Sequence, residues 1–200
     1  MSTMRSFDVK FRIGTAPEAM AASQGAFPGL PYAPDDAALI RQAQAGRWEA
    51  FAEVASRYDR AILALALRLA HSEREARDLF QKALLQSYKE LRTYRFQCSF
   101  YLWIYRVVAR TCIEFLTRRA PAIDGQANHL QEALEQLSPR ERIVLELKQY
   151  FGLKLDTIAT ILAIEEVSAR NILVRATLAL RLELGTQVIE EPRTQLQART

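Results

Sequence analysis

Residues 99–119, SFYLWIYRVVARTCIEFLTRR, constrain this chain more than any other stretch. Phe100, Trp103, Ile104, Val107, Val108, Thr111, Phe115 and Leu116 recur at three- and four-residue steps, so one face of a helix is built for a core. Arg106 and Arg110 lie one turn apart and off that stripe, and Tyr101 and Tyr105 form a second such pair. A helix with a packed back and an aromatic-plus-arginine front suits a nucleic-acid strand, because cations meet phosphates and rings offer faces for bases to stack on. A solvated basic face edged by snorkelling tyrosines would give the same pattern. This segment alone leaves both open.

The rest of the chain supports a helical interior. Only seven glycines and seven prolines punctuate 200 residues, while Leu, Ala, Arg, Glu and Gln dominate. No apolar run approaches the ~20 residues that span a bilayer, so no membrane insertion is expected. The opening MSTMRSFDVKFRIG carries charges where an export signal needs an unbroken apolar stretch, and a cytoplasmic protein is expected. Cys98 and Cys112 have no paired CxxC or Cys/His spacing, so they read as reduced packing residues and no metal site is expected. His71 and His129 are isolated, with His71 read as a cap or surface residue. There is no glycine-rich phosphate loop and no acid pair in an apolar setting. The expectation is a protein without catalytic residues or cofactor, not an enzyme. Charge is unevenly spread: residues 35–119 hold fifteen Lys/Arg against ten Asp/Glu, and residues 130–185 hold seven against eight. Attraction to nucleic acid is thus concentrated in the first of these segments.

The punctuation divides the chain into two small helical domains. Residues 1–34 end in FPGLPYAP and read as a flexible arm. Asp35 or Asp36 caps a helix over residues 37–45, stopped by Gly46. A second helix is expected over residues 47–70, burying Phe51, Val54, Ala55, Tyr58, Ile62, Leu65 and Leu69. Ser72 followed by Glu75 is a capping-box signature opening a third helix over residues 73–91, and a turn over 93–98 leads to the fourth. Residues 35–119 thereby form a compact helical domain and residues 120–129, APAIDGQANH, a flexible linker. Ser138-Pro139-Arg140-Glu141 supplies an N-cap, a first-turn proline and a capping-box acid for a helix running to about Tyr150, where Gly152 breaks it. A short helix over 155–162, a turn at Ala163-Ile164 and a longer helix over 165–184 make a helix-turn-helix within domain 130–185. Residues 186–200 read as a flexible tail. The fold class is all-α.

Over about residues 35–185 this arrangement resembles bacterial RNA polymerase sigma factors of the extracytoplasmic-function group, with a divergent C-terminal helix-turn-helix. Residues 78–81, DLFQ, resemble the family's D-L-V-Q motif, and Ser99-Phe100 with Trp103-Ile104-Tyr105-Arg106 resemble its S-F-x-x-W-L-Y-R motif. LSPRERIVLELKQYFGL resembles its leucine-proline-x-x-x-R opening. The resemblance implies that the helix carrying Asp78, Gln81 and Lys82 docks on the β′ clamp coiled coil of core RNA polymerase. It implies that residues 94–98 and the front of the next helix hold the melted minus-ten strand of promoter DNA, with Arg95, Tyr101, Arg106 and Arg110 as contacts. Trp103 lies on the core stripe and reads as packing. The last helix would read the minus-thirty-five element through Arg170, Asn171, Val174 and Arg175.

Several positions depart from the family pattern. Lys82 stands where an acid is usual, Phe96 where glycine is common, and Ala109-Arg110 in place of the frequent Arg-Asn pair. Lys154 replaces a Ser N-cap, Glu165 and Glu166 open the recognition helix, and Ile172 replaces an arginine. Two acids at a helix N-terminus favour its macrodipole and repel phosphate. A glutamate can still accept from a cytosine amino group. The resemblance therefore implies an alternative sigma factor directing promoter-specific initiation. The alternative is a sigma-like regulatory protein that acts by binding a protein partner such as an anti-sigma factor.

Overall fold

The computed structural model describes residues 36–119 and 129–194, with side chains described as far as residue 185. The expected arm over 1–34, residues 120–128 of the expected linker and residues 195–200 of the expected tail lie outside the described residues. Every regular element among the described residues is helical. In chain order these are α1 (Asp36–Gln44), α2 (Trp48–Ser56), α3 (Asp59–Leu69), α4 (Glu73–Glu90), a 3-10 turn (Leu91–Thr93) and α5 (Phe100–Arg118). Then follow α6 (His129–Glu135), α7 (Pro139–Leu145) with a π-helical extension (Glu146–Tyr150), α8 (Leu155–Leu162) and α9 (Glu166–Thr194).

Local chemistry accounts for most boundaries. Gly46, at φ +97°, ends α1 by turning its own N–H onto the Ala43 carbonyl and that of Arg47 onto the Gln42 carbonyl. Ser72 accepts from the Glu75 N–H at 3.2 Å, while the Glu75 carboxylate reaches one residue further back, to the His71 N–H at 2.7 Å. At α7 the box closes as expected: Ser138 and Glu141 each accept from the other's backbone N–H, and Pro139 occupies the first turn.

Some expectations need correcting. The single helix over residues 47–70 is two helices, broken at Arg57-Tyr58. Tyr58 donates its N–H only three residues back, to Ala55 at 2.8 Å. The break lets the Arg57 guanidinium pair with the buried Asp36 carboxylate. It also sets the Tyr58 ring among those of Phe100, Tyr101 and Tyr105, at 5.8, 6.3 and 6.4 Å. An ion pair and an aromatic cluster outweigh one helical hydrogen bond. The segment from His129 is helical, where the linker was expected to reach residue 129. The last helix runs through Gly185 to Thr194, where a flexible tail was expected. Gly185 has open space around it, so the helix bears only a propensity penalty of about 1 kcal/mol there.

Helix α5 is central. Its buried residues are Phe100, Trp103, Ile104, Tyr105, Val107, Val108, Ala109, Thr111 and Cys112, which at about 100° per residue wrap roughly two thirds of its circumference. That is wider than the stripe of a surface helix. One side packs on α4, and α7 and α8 cover another. A single apolar cluster consequently runs through both halves of the molecule, joining Phe51, Ile62, Leu65, Leu79, Ile104 and Val108 to Ile143, Leu147, Ile158, Ile161 and Ile172. A smaller cluster of Leu134, Leu137, Leu145 and Ala176 holds α6, α7 and α9 together. Cys112 is buried in the large cluster, which pushes its thiol up to about 12, and Cys98 is also free.

Asp59, at the start of α3, is a half-buried anomaly. One carboxylate oxygen is buried without a hydrogen-bond partner, and burial pushes its pKa up to about 7. An acid raised in the folded state loses stability as pH rises from its unfolded value near 3.9 to its folded value, and loses no more beyond. Asp59→Asn is therefore expected to raise the melting temperature at pH 8 and to leave it unchanged at pH 4. Thermal melts at the two pH values check this, and an equal shift at both would refute the assignment.

Candidate nucleic-acid interface

Three surfaces carry the expected contact residues. On α4, Asp78, Gln81 and Lys82 are all exposed, and Asp78 and Gln81 line a shallow groove with Glu73, Arg74 and Arg77. An (i, i+4) pair between Arg77 and Glu73 at 2.5 Å orders one wall. The buried side of the same helix is Ala76, Leu79, Phe80, Ala83 and Leu84, so the polar residues are held outward by the packing behind them.

The second surface is the loop over 94–98 with the front of α5. The Tyr94 ring is buried and its hydroxyl donates to the Cys98 carbonyl at 2.6 Å, closing the loop on itself. Gln44 of α1 donates to the Leu91 and Tyr94 carbonyls at 3.0 and 2.8 Å, tying the loop to the body. Arg95 is exposed, its N–H donating to the Gln97 side chain at 3.0 Å. Between them Phe96 sits at φ +60°, a left-handed conformation that a bulky side chain rarely adopts. Its ring lies 4.9 Å from that of Tyr94 and 5.5 Å from the Arg41 guanidinium, and remains partly exposed. Phe96 and Arg41 were not among the expected contacts. The signal for Phe96 was present as a large aromatic at a position where the resemblance favours glycine. Nothing local in the sequence marks Arg41, whose place over the ring comes from the fold.

The front of α5 divides differently from expectation. Trp103 packs as expected, 5.3 Å from the Tyr94 ring and 5.4 Å from that of Phe100. Tyr105, read as part of an exposed tyrosine pair, is buried, and burial pushes its pKa well up. Tyr101 is half-buried, 4.7 Å from Tyr105, and its pKa is raised by the same cause. Arg110 is exposed and paired with Glu90. Arg106 is partly exposed: one terminal nitrogen donates to the Thr160 carbonyl of α8 at 3.0 Å, while its Nε is buried without a partner.

The third surface is the helix-turn-helix of α8 and α9. Ala163 turns the chain in the left-handed region, and Ile164 donates to the Ala159 carbonyl at 3.0 Å. Arg170, Asn171, Val174 and Arg175 are exposed on α9. Both cations are engaged by acids, Arg170 by Glu166 at 2.9 Å and Arg175 by Glu141 at 3.3 Å. Val167, Val174 and Leu178 add exposed apolar side chains to the same helix. Ile172 is in contrast part of the large core, so an apolar residue at this position serves folding and is not available to a partner.

Two helical modules, each presenting a polar and cationic face, define the class of a two-module helical binding protein. Comparison with known proteins makes it specific. Residues 54–121 match Sigma-70 region 2 and residues 128–180 match Sigma-70, region 4. The chain belongs to the sigma-70 family and is an alternative sigma factor of the extracytoplasmic-function type. It is 26% identical to the RNA polymerase sigma-H factor of Pseudomonas aeruginosa over 70% of this chain and 89% of that protein. It is 29% identical to the ECF RNA polymerase sigma-E factor of Haemophilus influenzae over 68% of this chain and 81% of that protein. The fold is similar to that of CnrH, solved in complex with the cytosolic domain of CnrY: the TM-score is 0.60 at 20% identity, covering 76% of this chain and 97% of CnrH. No described helix is long and apolar enough to cross a membrane.

The contrast between two neighbours on α9 is testable. Ile172, 8% exposed, packs inward, and Val174, 51% exposed, faces out. Ile172→Arg is expected to cost about 3 kcal/mol or more by burying an unpaired charge, and Val174→Arg less than about 0.5 kcal/mol. Urea unfolding followed by circular dichroism measures both, and equal costs would contradict this assignment of faces.

Proposed function

We propose that this sigma factor binds core RNA polymerase through α4 and directs promoter-specific initiation with α5 and α9, without catalytic chemistry of its own and in the cytoplasm. The observation that carries the reading is the combination, on one chain, of both sigma modules with Asp78, Gln81, Lys82, Arg95 and Arg110 all exposed. Asp78, Gln81 and Lys82 offer the polymerase clamp an acid, an amide and a cation on one helical face. Arg95 lies on the loop carrying Phe96 and Arg110 further along α5, so phosphates and an unstacked base of the minus-ten strand would find cations and a ring on this side. Tyr101 and Arg106 belong to the same front. Arg170, Asn171, Val174 and Arg175 would enter the minus-thirty-five major groove, with either arginine able to fork onto a guanine.

A second reading is favoured by one feature of α9. Its arginines are already paired with acids, and Val167, Val174 and Leu178 stand exposed beside them. Such a surface suits a protein partner, an anti-sigma factor among them, at least as well as DNA. Run-off transcription on genomic fragments with core polymerase separates the two. New, defined start sites lost in Arg170→Ala or Arg175→Ala support promoter reading. Start sites indifferent to both substitutions support the protein-binding role.

The docking face has its own test. Asp78→Ala with Gln81→Ala is expected to weaken core association, since contacts to a charged group contribute about 1.5–3 kcal/mol each. Helical content should not change, because both side chains are exposed. Core binding measured by fluorescence anisotropy, with the double variant binding as tightly as the parent, would sink the assignment. For the strand-holding face, Arg95→Gln with Arg110→Gln should flatten the salt dependence of binding to a single-stranded oligonucleotide by about 0.7 slope units per lost phosphate contact.

A further inference from the structure

Where the two modules meet, arginines are committed to acids inside the molecule: Arg68 pairs with Glu146, and Arg119 and Arg142 donate to Glu135 at 2.6 and 3.1 Å. The arginines of α9 are placed otherwise, on the solvent face of a helix whose first turns also carry apolar side chains into water. Ala169, Ile172 and Ala176 are buried and define the inner side of that helix. At about 100° per residue, Val167 projects opposite them, with Val174 and Leu178 about 20° to either hand of it. These three are 64%, 51% and 51% exposed. Arg170 lies about 60° to one side of the same line and Arg175 about 80° to the other, with Asn171 about 40° along toward Arg175. Around the solvent face the order is therefore cation, apolar ridge, amide, cation.

Nothing in the fold asks for the two valines. Among the described residues neither belongs to an apolar cluster, and valine is a poorer helix former than alanine at an exposed position. Its single favoured rotamer in a helix does fix the direction of both methyl groups. The flanking cations reach sideways, Arg170 to Glu166 at 2.9 Å and Arg175 to Glu141 of α7 at 3.3 Å. The apolar line is only about 40° wide, against the roughly 100° stripe with which a helix packs on protein. A major groove, about 12 Å wide with phosphates along both walls, matches a narrow ridge between two cations better. On its floor the apolar group is the C5-methyl of thymine, and the edge that pairs twice with an amide is that of adenine. Val167 and Val174 are about 10 Å apart along the helix axis, the span of about three base-pair steps.

We propose that Val167 and Val174 read thymine methyl groups about three base pairs apart in the minus-thirty-five element, that Asn171 reads an adenine between them, and that Arg170 and Arg175 grip the phosphates on either side. The proposal rests on the reading of α9 as the minus-thirty-five helix. It adds Val167, which the fold places at the centre of the face, to the contacts expected from the sequence, and it gives the arginines positioning rather than base-reading work. The centre of the element is accordingly rich in A·T pairs, and affinity there rests on methyl groups rather than on guanine.

The test uses holoenzyme assembled from core polymerase and the full chain. Promoter-length duplexes randomised over the minus-thirty-five window are selected for binding, and the recovered duplex is remade with uracil for thymine at single window positions, which removes one methyl group and nothing else. At two thymines, uracil is expected to weaken binding about fourfold each. Val167→Ala should lose the difference at one of them and Val174→Ala at the other. Both sites are exposed and alanine is the better helix former, so neither variant loses its fold. Arg170→Ala and Arg175→Ala should weaken thymine and uracil duplexes alike and lower the salt slope by about 0.9 per lost phosphate contact, with the selected window unchanged. Equal binding of thymine and uracil duplexes by the parent would overturn methyl reading. A difference that survives both valine substitutions, or valines without effect on any duplex, would leave the ridge to a protein partner and defeat the proposal. A guanine dropped from the selected window in either arginine variant would refute the assignment of that arginine to phosphate. A selection that returns no preferred window overturns the underlying reading of α9 as a promoter-reading helix, a result distinct from a defined window without methyl dependence.

Discussion

The two-sided burial of α5 is the constraint on which the rest of this structure depends. A helix apolar over most of its circumference cannot rest on a single neighbour, so α4 covers one side and α7 with α8 another. That requirement draws the second module onto the first and merges their cores through Ile104, Val108, Ile158 and Ile172. It also turns Tyr105 inward and brings Thr160 over Arg106. The same helix thus serves as the central support of the fold and carries the proposed nucleic-acid front, and the two demands meet at Arg106.

Charge on the candidate surfaces is arranged to be exchangeable. Arg110 is met by Glu90, Arg170 by Glu166 and Arg175 by Glu141. Exposed pairs of this kind contribute about 0–1 kcal/mol, so a phosphate or a partner's carboxylate displaces them readily. They reduce attraction to nucleic acid in general while leaving each cation able to join a specific contact. In α7 the position of Glu141 is further held by its exchange of hydrogen bonds with Ser138, which with Arg175 keeps its carboxyl below the usual range. A capping residue therefore doubles as the acid that pairs with Arg175 of α9.

Local and periodic features were legible in the sequence. The Gly46 stop, the Ser72 and Ser138 caps, the bounds of α8 and the turn at Ala163 all follow from chemistry within four or five residues. Asp78 and Gln81 were recognisable by motif, Lys82, Arg95 and Arg110 only by their places beside the motifs, and all five stand exposed. What escaped was decided at long range. The break at Arg57-Tyr58 depends on Asp36 and on a ring cluster from α5, and apolar periodicity passes through such a break undisturbed. Tyr105 reads as amphipathic from its own helix and is buried by residues distant along the chain. The Arg68–Glu146 pair joins residues 78 positions apart, and no local pattern marks either partner.

The ion cluster between the modules bears on how freely such modules can be exchanged. Arg142 and Glu146 come from the second module, and their counter-charges and carbonyl acceptor come from Arg68 and the end of α3 in the first. A second module grafted from a relative lacking Glu146 would leave Arg68 facing an apolar seam, and a grafted first module lacking Arg119 would strip Glu135 of its closest cation. A chimera joined at residues 120–128 that lacks one of these partners leaves a charge unpaired in the seam even where both halves fold. Compatible recombination must carry Arg68, Arg119, Glu135, Arg142 and Glu146 as one inherited unit.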